Sequence, residues 1–187
     1  MSRCAIGAWL AAFAFAVVST ACSGPATTSV EQASAAPTAA STLQVPEIAE
    51  PLDASGLASC SMLGAERLRR LGLDESTGRD YSTNIATGCA WVAVDGNYMS
   101  SLGLRTDAGV QLAYDLRDSF PSFEEEEVDG YPAVHLGSPS SVSCQYWVGI
   151  AETQSFNVEV RNLTDSSPSL CGRARAMASE FLDALRK

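Results

Sequence analysis

The sequence has a single histidine, His135, and no closely spaced cysteine pair. One imidazole excludes a His-rich metal site, and any Ser-His or Cys-His nucleophile pair would have to use His135. Otherwise His135 reads as an ordinary strand histidine. Structural zinc sites draw on local pairs such as C-x-x-C, and none occurs, so no metal or other cofactor is expected. The spacing of Asp and Glu offers no candidate acid–base pair, and the expectation is a protein that is not an enzyme. Positive charge is scarce: 12 Lys+Arg stand against 22 Asp+Glu, a formal charge of −10. That sign makes nucleic acid a poor partner and repels anionic headgroups. No internal repeat is present.

What the chain does have begins at its front. Arg3 supplies a short positive region, and residues 5–18 are apolar without interruption. Small residues then lead to a cleavage point. Val18-Ser19-Thr20-Ala21-Cys22 resembles the lipobox of bacterial lipoproteins, in which the cysteine is acylated and becomes the first residue of the mature chain. The match is good at Ala21 and Cys22 and weaker at Ser19, where Leu is usual. Two other readings use the same residues. One is a plain signal peptide with Cys22 incidental. The other is a retained helix, although roughly 17 apolar residues sit at the lower edge of what spans a bilayer. Residues 1–21 are thus expected to be a signal peptide and Cys22 the lipidation site. The chain would then be held on the extracytoplasmic face of the cell membrane. Cleavage removes Arg3 and takes the charge from −10 to −11.

After Cys22 the composition changes to Ala, Ser, Thr and Pro with almost no large apolar residue. Such a segment cannot bury enough surface to offset its chain entropy, so residues 22–51 read as a disordered tether. Residues 52–187 remain for one domain of a common size, long enough for a real core. Four cysteines fall within it, which in an exported chain implies two disulfides and allows three pairings. The expected pairs are Cys60–Cys89 and Cys144–Cys171. Each closes a loop of about 30 residues, worth about 3.5 kcal/mol in the chain-entropy model.

Within the domain, Leu63 and Leu68 flank Gly64 as a hydrophobic staple for a short helix over 65–71, ended by Gly72. Asp95-Gly96 lies between two extended runs, a hairpin signal. It puts Cys89, Trp91 and Ala93 on one face, opposite Tyr98, Ser100, Leu102 and Leu104. A helix capped by Thr106 or Asp107 follows, with Val110, Ala113, Tyr114 and Arg117 in a stripe, and Pro121 stops it. The glutamates at 124–127, with Asp129, read as a solvated loop of like charges. A calcium or cationic-partner site is the sharper alternative, but calcium loops alternate ligands with spacers. Residues 130–136 read as a strand. Residues 143–150 and 154–161 form a second hairpin, with Phe156, Val158 and Val160 alternating against polar neighbours. Ser167 and Pro168 open a final helix to about Leu185, striped by Cys171, Ala174, Met177, Ala178, Phe181 and Leu182. The sum is an α+β fold: an antiparallel sheet of about five to six strands with helices on one face.

These features together resemble an actinobacterial lipoprotein family, the domain of unknown function thirty-five fifty-eight. The resemblance rests on the lipobox and tether, then Cys60, Leu63, Leu68 and Gly72. It continues through Cys89-Ala90-Trp91, Gly130-Tyr131-Pro132-Ala133, Cys144, and Cys171 with Ala174. Ala58-Ser59 departs from the Asp-Pro usual before the first cysteine. The family carries no established activity or catalytic residues to transfer. The expectation is a membrane-tethered binding or accessory domain whose ligand is a lipid, a wall glycan or an envelope protein. A lipid or small-molecule carrier and an envelope hydrolase are the alternatives.

Overall fold

The structure is a computed structural model and describes residues 44–57, 59–136, 142–164 and 169–187. All of them belong to the compact unit Ser41–Lys187. Seven strands make one sheet: β1 (Arg79–Ser82), β2 (Thr87–Val92), β3 (Tyr98–Arg105), β4 (Glu124–Val128), β5 (Tyr131–Leu136), β6 (Ser143–Ala151) and β7 (Gln154–Asn162). Across the sheet they run β1-β2-β3-β7-β6-β5-β4, every neighbouring pair antiparallel. The chain thus builds a three-stranded meander, crosses to the far edge, and returns until β7 closes against β3. Three α-helices, α1 (Ala65–Arg70), α2 (Gln111–Asp115) and α3 (Leu170–Leu185), and three short 3-10 turns complete the described residues.

Alternation along the strands sets two unlike faces. Cys89 and Trp91, Leu102 and Leu104, Cys144 and Val148, and Phe156, Val158 and Val160 share the inner face and are buried. The apolar stripe of α3 lies against them, with Ala174, Met177, Ala178, Phe181 and Leu182 all buried. Phe181 meets Phe156 edge-on, ring centroids 4.9 Å apart. The staple closes as expected, Leu63 and Leu68 both entering this core. Gly72 (φ +71°) then ends α1 in the left-handed region. Leu73 N–H donates to the Leu68 carbonyl and Gly72 N–H to that of Arg69, at 2.9 Å and 3.1 Å. On the opposite face Val134, Leu136 and Trp147 pack under Val110, Ala113 and Tyr114 in a smaller core.

The α+β class and antiparallel sheet match the sequence expectation, and both cysteine pairs form, Cys60–Cys89 and Cys144–Cys171. Several details differ. The sheet has seven strands because two polar edge segments join it. The glutamate run is not a loop: it is β4, paired in register with β5 from Glu124↔His135 to Val128↔Tyr131. Charge on an edge strand is tolerated because one side of the ladder is open to water. At the other edge β1 is short and polar, and its Tyr81 ring lies across Gly88 and Gly103, where any Cβ would collide with it. The second helix is one short turn of α-helix followed by a 3-10 turn at Arg117–Ser119, and ahead of it the Gly109 backbone is pressed against the Glu152 carbonyl. It sits on the face opposite α1 and α3, and Arg117 is exposed. Packing also begins before Leu52: Val45 joins the smaller core, and Ile48 the main one. Ser167 and Pro168 lie outside the described residues, and α3 is described from Leu170.

Ion pairs tie α1 to the far end of α3. Arg70 holds Glu180 through two hydrogen bonds of 2.9 Å and 2.6 Å, and Arg67 Nη2 donates to Asp183 at 2.7 Å. The Arg70 guanidinium holds the Glu180 carboxyl below its ordinary value. A depressed carboxyl stabilises the fold above its unfolded pKa and loses that contribution as the pH falls through its folded pKa. Glu180→Gln is therefore expected to be less stable than the parent near neutral pH, by up to about 1 kcal/mol for so exposed a pair. The gap should close below the ordinary carboxylate range; urea unfolding on both sides of that range checks it. Phe181→Ala, which empties the contact with Phe156, is expected to cost about 3–5 kcal/mol in the same measurement.

Candidate functional site

A cleft of about 340 Å³ opens where the end of α1, the first turns of α3 and β3 meet. The size falls in the range of small-ligand pockets. Its floor is apolar, from Leu71, Leu73 and Met177, and its walls carry Arg70, Arg173, Tyr98 and Ser169. The turn at Gly72 aims the Leu71 carbonyl at Tyr98, whose hydroxyl donates to it at 2.8 Å. Arg173 Nη1 donates to the same hydroxyl at 2.8 Å, and its guanidinium lies 4.2 Å from the Tyr98 ring centroid. Burial pushes the Tyr98 phenol up, against the pull of Arg173, so it stays neutral at physiological pH.

The cleft is electropositive despite the acidic chain. Arg70 is neutralised by Glu180 and Glu66. Arg173 has no carboxylate in salt-bridge contact among the described residues; Asp95 feels it only at longer range. The first turn of α3 holds no acidic residue, and Ser169, at φ +53°, makes no side-chain cap. Amide groups at a helix start favour anions. A single carboxylate or phosphate with an apolar body matches this lining.

A second cleft, of about 410 Å³, lies between Val45, Pro46, Ile48, Pro51, Val110 and the β6–β7 turn. Elsewhere, Arg105 Nε and Nη1 and Trp147 Nε1 are buried without a hydrogen-bond partner among the described residues, the guanidinium 5.9 Å from the Trp147 ring.

The sequence-selected residues are placed as follows. Cys22, the proposed lipidation site, lies outside the described residues, as do the signal segment and the tether up to residue 43. Among the described residues no helix is long and apolar enough to cross a membrane. His135 is not an ordinary strand residue. It is buried, and its Nε2 sits 3.1 Å from Cys144 Sγ and 3.3 Å from Cys171 Sγ. Its Nδ1 lies 3.4 Å from Glu124 and 3.8 Å from Glu126. Glu126 is held in turn by Arg175 at 2.7 Å and by the Tyr146 hydroxyl at 3.2 Å. The glutamates singled out as a charge run therefore split: Glu124 and Glu126 face His135, and their alternation was hidden by the run itself. Arg70, Tyr98 and Arg173 were missed, because they come from three separate elements. One signal was present: Arg173 and Arg175 sit near the start of a helix, where the dipole disfavours cations.

The chain matches no curated protein and no solved structure. Residues 17–184 match the family described as Protein of unknown function (DUF3558). Among the described residues that span takes in all seven strands, both disulfides and the helices except the last residue of α3, and the chain belongs to this family.

Proposed function

We propose that the chain is a lipoprotein of the cell envelope, anchored through Cys22, whose domain binds a ligand and does no covalent chemistry. The ligand class is a small amphipathic anion, seated in the cleft between α1, α3 and β3. One observation carries this reading: Arg173, without a carboxylate in salt-bridge contact among the described residues, beside a helix whose first turn holds no acidic residue, over an apolar floor. An anionic group placed there would meet a guanidinium and helix amides in partly desolvated surroundings, where such contacts are strongest. The sole imidazole supports a binding role over hydrolysis, since it faces two sulfurs already bonded to each other and two glutamates. The net charge argues against nucleic acid as a partner.

Native mass spectrometry on the unreduced chain, extracted from the envelope of its own host, tests both parts. The expected result is a covalent acyl mass on the peptide beginning at Cys22 and a further non-covalent adduct that survives desalting. Arg173→Glu should lose the adduct and keep its melting temperature. A bare mass would overturn the small-ligand reading, and an adduct retained by Arg173→Glu would move the site to the cleft beside Val45. Cys22→Ala is expected to shift the protein from the membrane to the soluble fraction; an unchanged distribution would sink the lipid anchor.

A further inference from the structure

Three side chains that sequence spacing keeps apart meet behind α3. His135 comes from β5, Cys144 from β6, and Cys171 from the first turn of α3. Their ligating atoms all lie within 4.8 Å of one another. The geometry points to a metal site that the oxidised chain keeps closed: once the Cys144–Cys171 disulfide is reduced, its two sulfurs and His135 Nε2 bind a thiophilic divalent cation such as zinc. The site is independent of the cleft.

The distances suit this donor set. Zn–S bonds of about 2.3 Å and Zn–N bonds of about 2.1 Å, at tetrahedral angles, put nitrogen about 3.6 Å from each sulfur and the two sulfurs about 3.8 Å apart. His135 Nε2 is already 3.1 Å and 3.3 Å from the sulfurs, so the imidazole needs only a small shift. The sulfurs must part, which their mutual bond forbids until it is cut. The surroundings also suit a metal-bound histidine. Nδ1 faces Glu124 and Glu126, the carboxylate backing that fixes the tautomer and raises ligand basicity. The ring is held flat against Tyr146, centroids 5.1 Å apart and planes 20° from parallel. Two thiolates also neutralise a divalent ion, which the buried position of Cys144 and His135 demands. Cys171 is partly exposed, which gives reductant and cation a way in and leaves a fourth coordination position for water.

The opening step balances. A dithiol reductant passes two electrons and two protons to the bridge; Cys144 and Cys171 become thiols while the reductant closes to its own disulfide. The cation then displaces both thiol protons to water. His135 keeps the Nδ1 proton, donated toward Glu124, and offers the Nε2 lone pair. The Cys60–Cys89 pair has no histidine beside it; among the described residues its one candidate companion is the exposed Asp80.

Cadmium titration of the mature chain, cleaved and acylated at Cys22, with and without a phosphine reductant, tests the site through the ultraviolet thiolate-to-cadmium band. The expected result is one cadmium per reduced chain, none per oxidised chain, and displacement by zinc. Cys60→Ala/Cys89→Ala should bind as the parent does. Glu124→Gln should bind about tenfold more weakly, and His135→Gln more weakly still. Folding of each variant is checked in its oxidised form, where no metal is needed. Zinc should raise the melting temperature of the reduced parent and leave the oxidised parent unchanged. No band on reduction, no rise in melting temperature with zinc, or equal binding by folded His135→Gln would each overturn the site.

Discussion

The packing of α3 on β6 and β7 is the contact on which the rest of the domain depends. It buries Ala174, Met177, Ala178, Phe181 and Leu182 in one continuous stripe against Phe156, Val158 and Val148. There α3 contributes about 1.5–3 kcal/mol for each large side chain removed from water. Its two ends do different work. The far end takes the arginines of α1 on Glu180 and Asp183. The near end carries Cys171 and Arg173, one in the disulfide with His135 beside it and the other on the cleft. Both candidate sites exist because this helix start is held in one place on the sheet.

That placement is enforced twice. Buried Leu170 and Ala174 hold the first turn by packing, and the Cys144 bridge holds it covalently, Cα to Cα 5.1 Å. A helix start is normally where fraying begins, since its first amides lack intrahelical partners. Here fraying would take Arg173 off the Tyr98 ring and Cys171 away from His135 together. Residues 171 and 173 point to different sides of the helix, separated by about 200° at 3.6 residues per turn. One turn therefore serves two environments, the sulfur cluster on one side and the electropositive cleft on the other.

Much of the fold was legible in the sequence because its cause was local. Alternation in β2, β3 and β7 gave the buried face residue by residue, and Asp95-Gly96 gave the hairpin, with Gly96 at φ +73°. Each expected disulfide joins elements at the two ends of a short loop, so the pairing followed from sequence distance. What stayed hidden has a non-local cause. Four like residues in β4 carry no visible alternation, although the Glu124 and Glu126 carboxylates meet His135 and Arg175 while Glu127 reaches Arg175 only through its backbone carbonyl. The fit of Tyr81 over Gly88 and Gly103 joins three strands and shows in no single one of them. Ahead of α2 the Gly109 backbone meets the β6–β7 turn, forty residues away in sequence, a contact that no helix propensity encodes. Arg70, Tyr98 and Arg173 each read as ordinary surface or strand residues until the sheet closes.

His135 shows most clearly how position outweighs residue count. A single histidine among well-separated cysteines argued against a metal on the ground that ligands come in local pairs. That argument holds for small domains, which a metal must fold, because only neighbours in sequence can be gathered without a core. It does not hold for a domain whose core already gathers β5, β6 and α3. There the scaffold fixes the donors, and only the bond between the two sulfurs stands between a structural staple and a ligand set. The same geometry explains why His135 can remain buried beside two glutamates: one nitrogen has a carboxylate to donate to, and the other rests on polarizable sulfur, so neither is left without a neighbour.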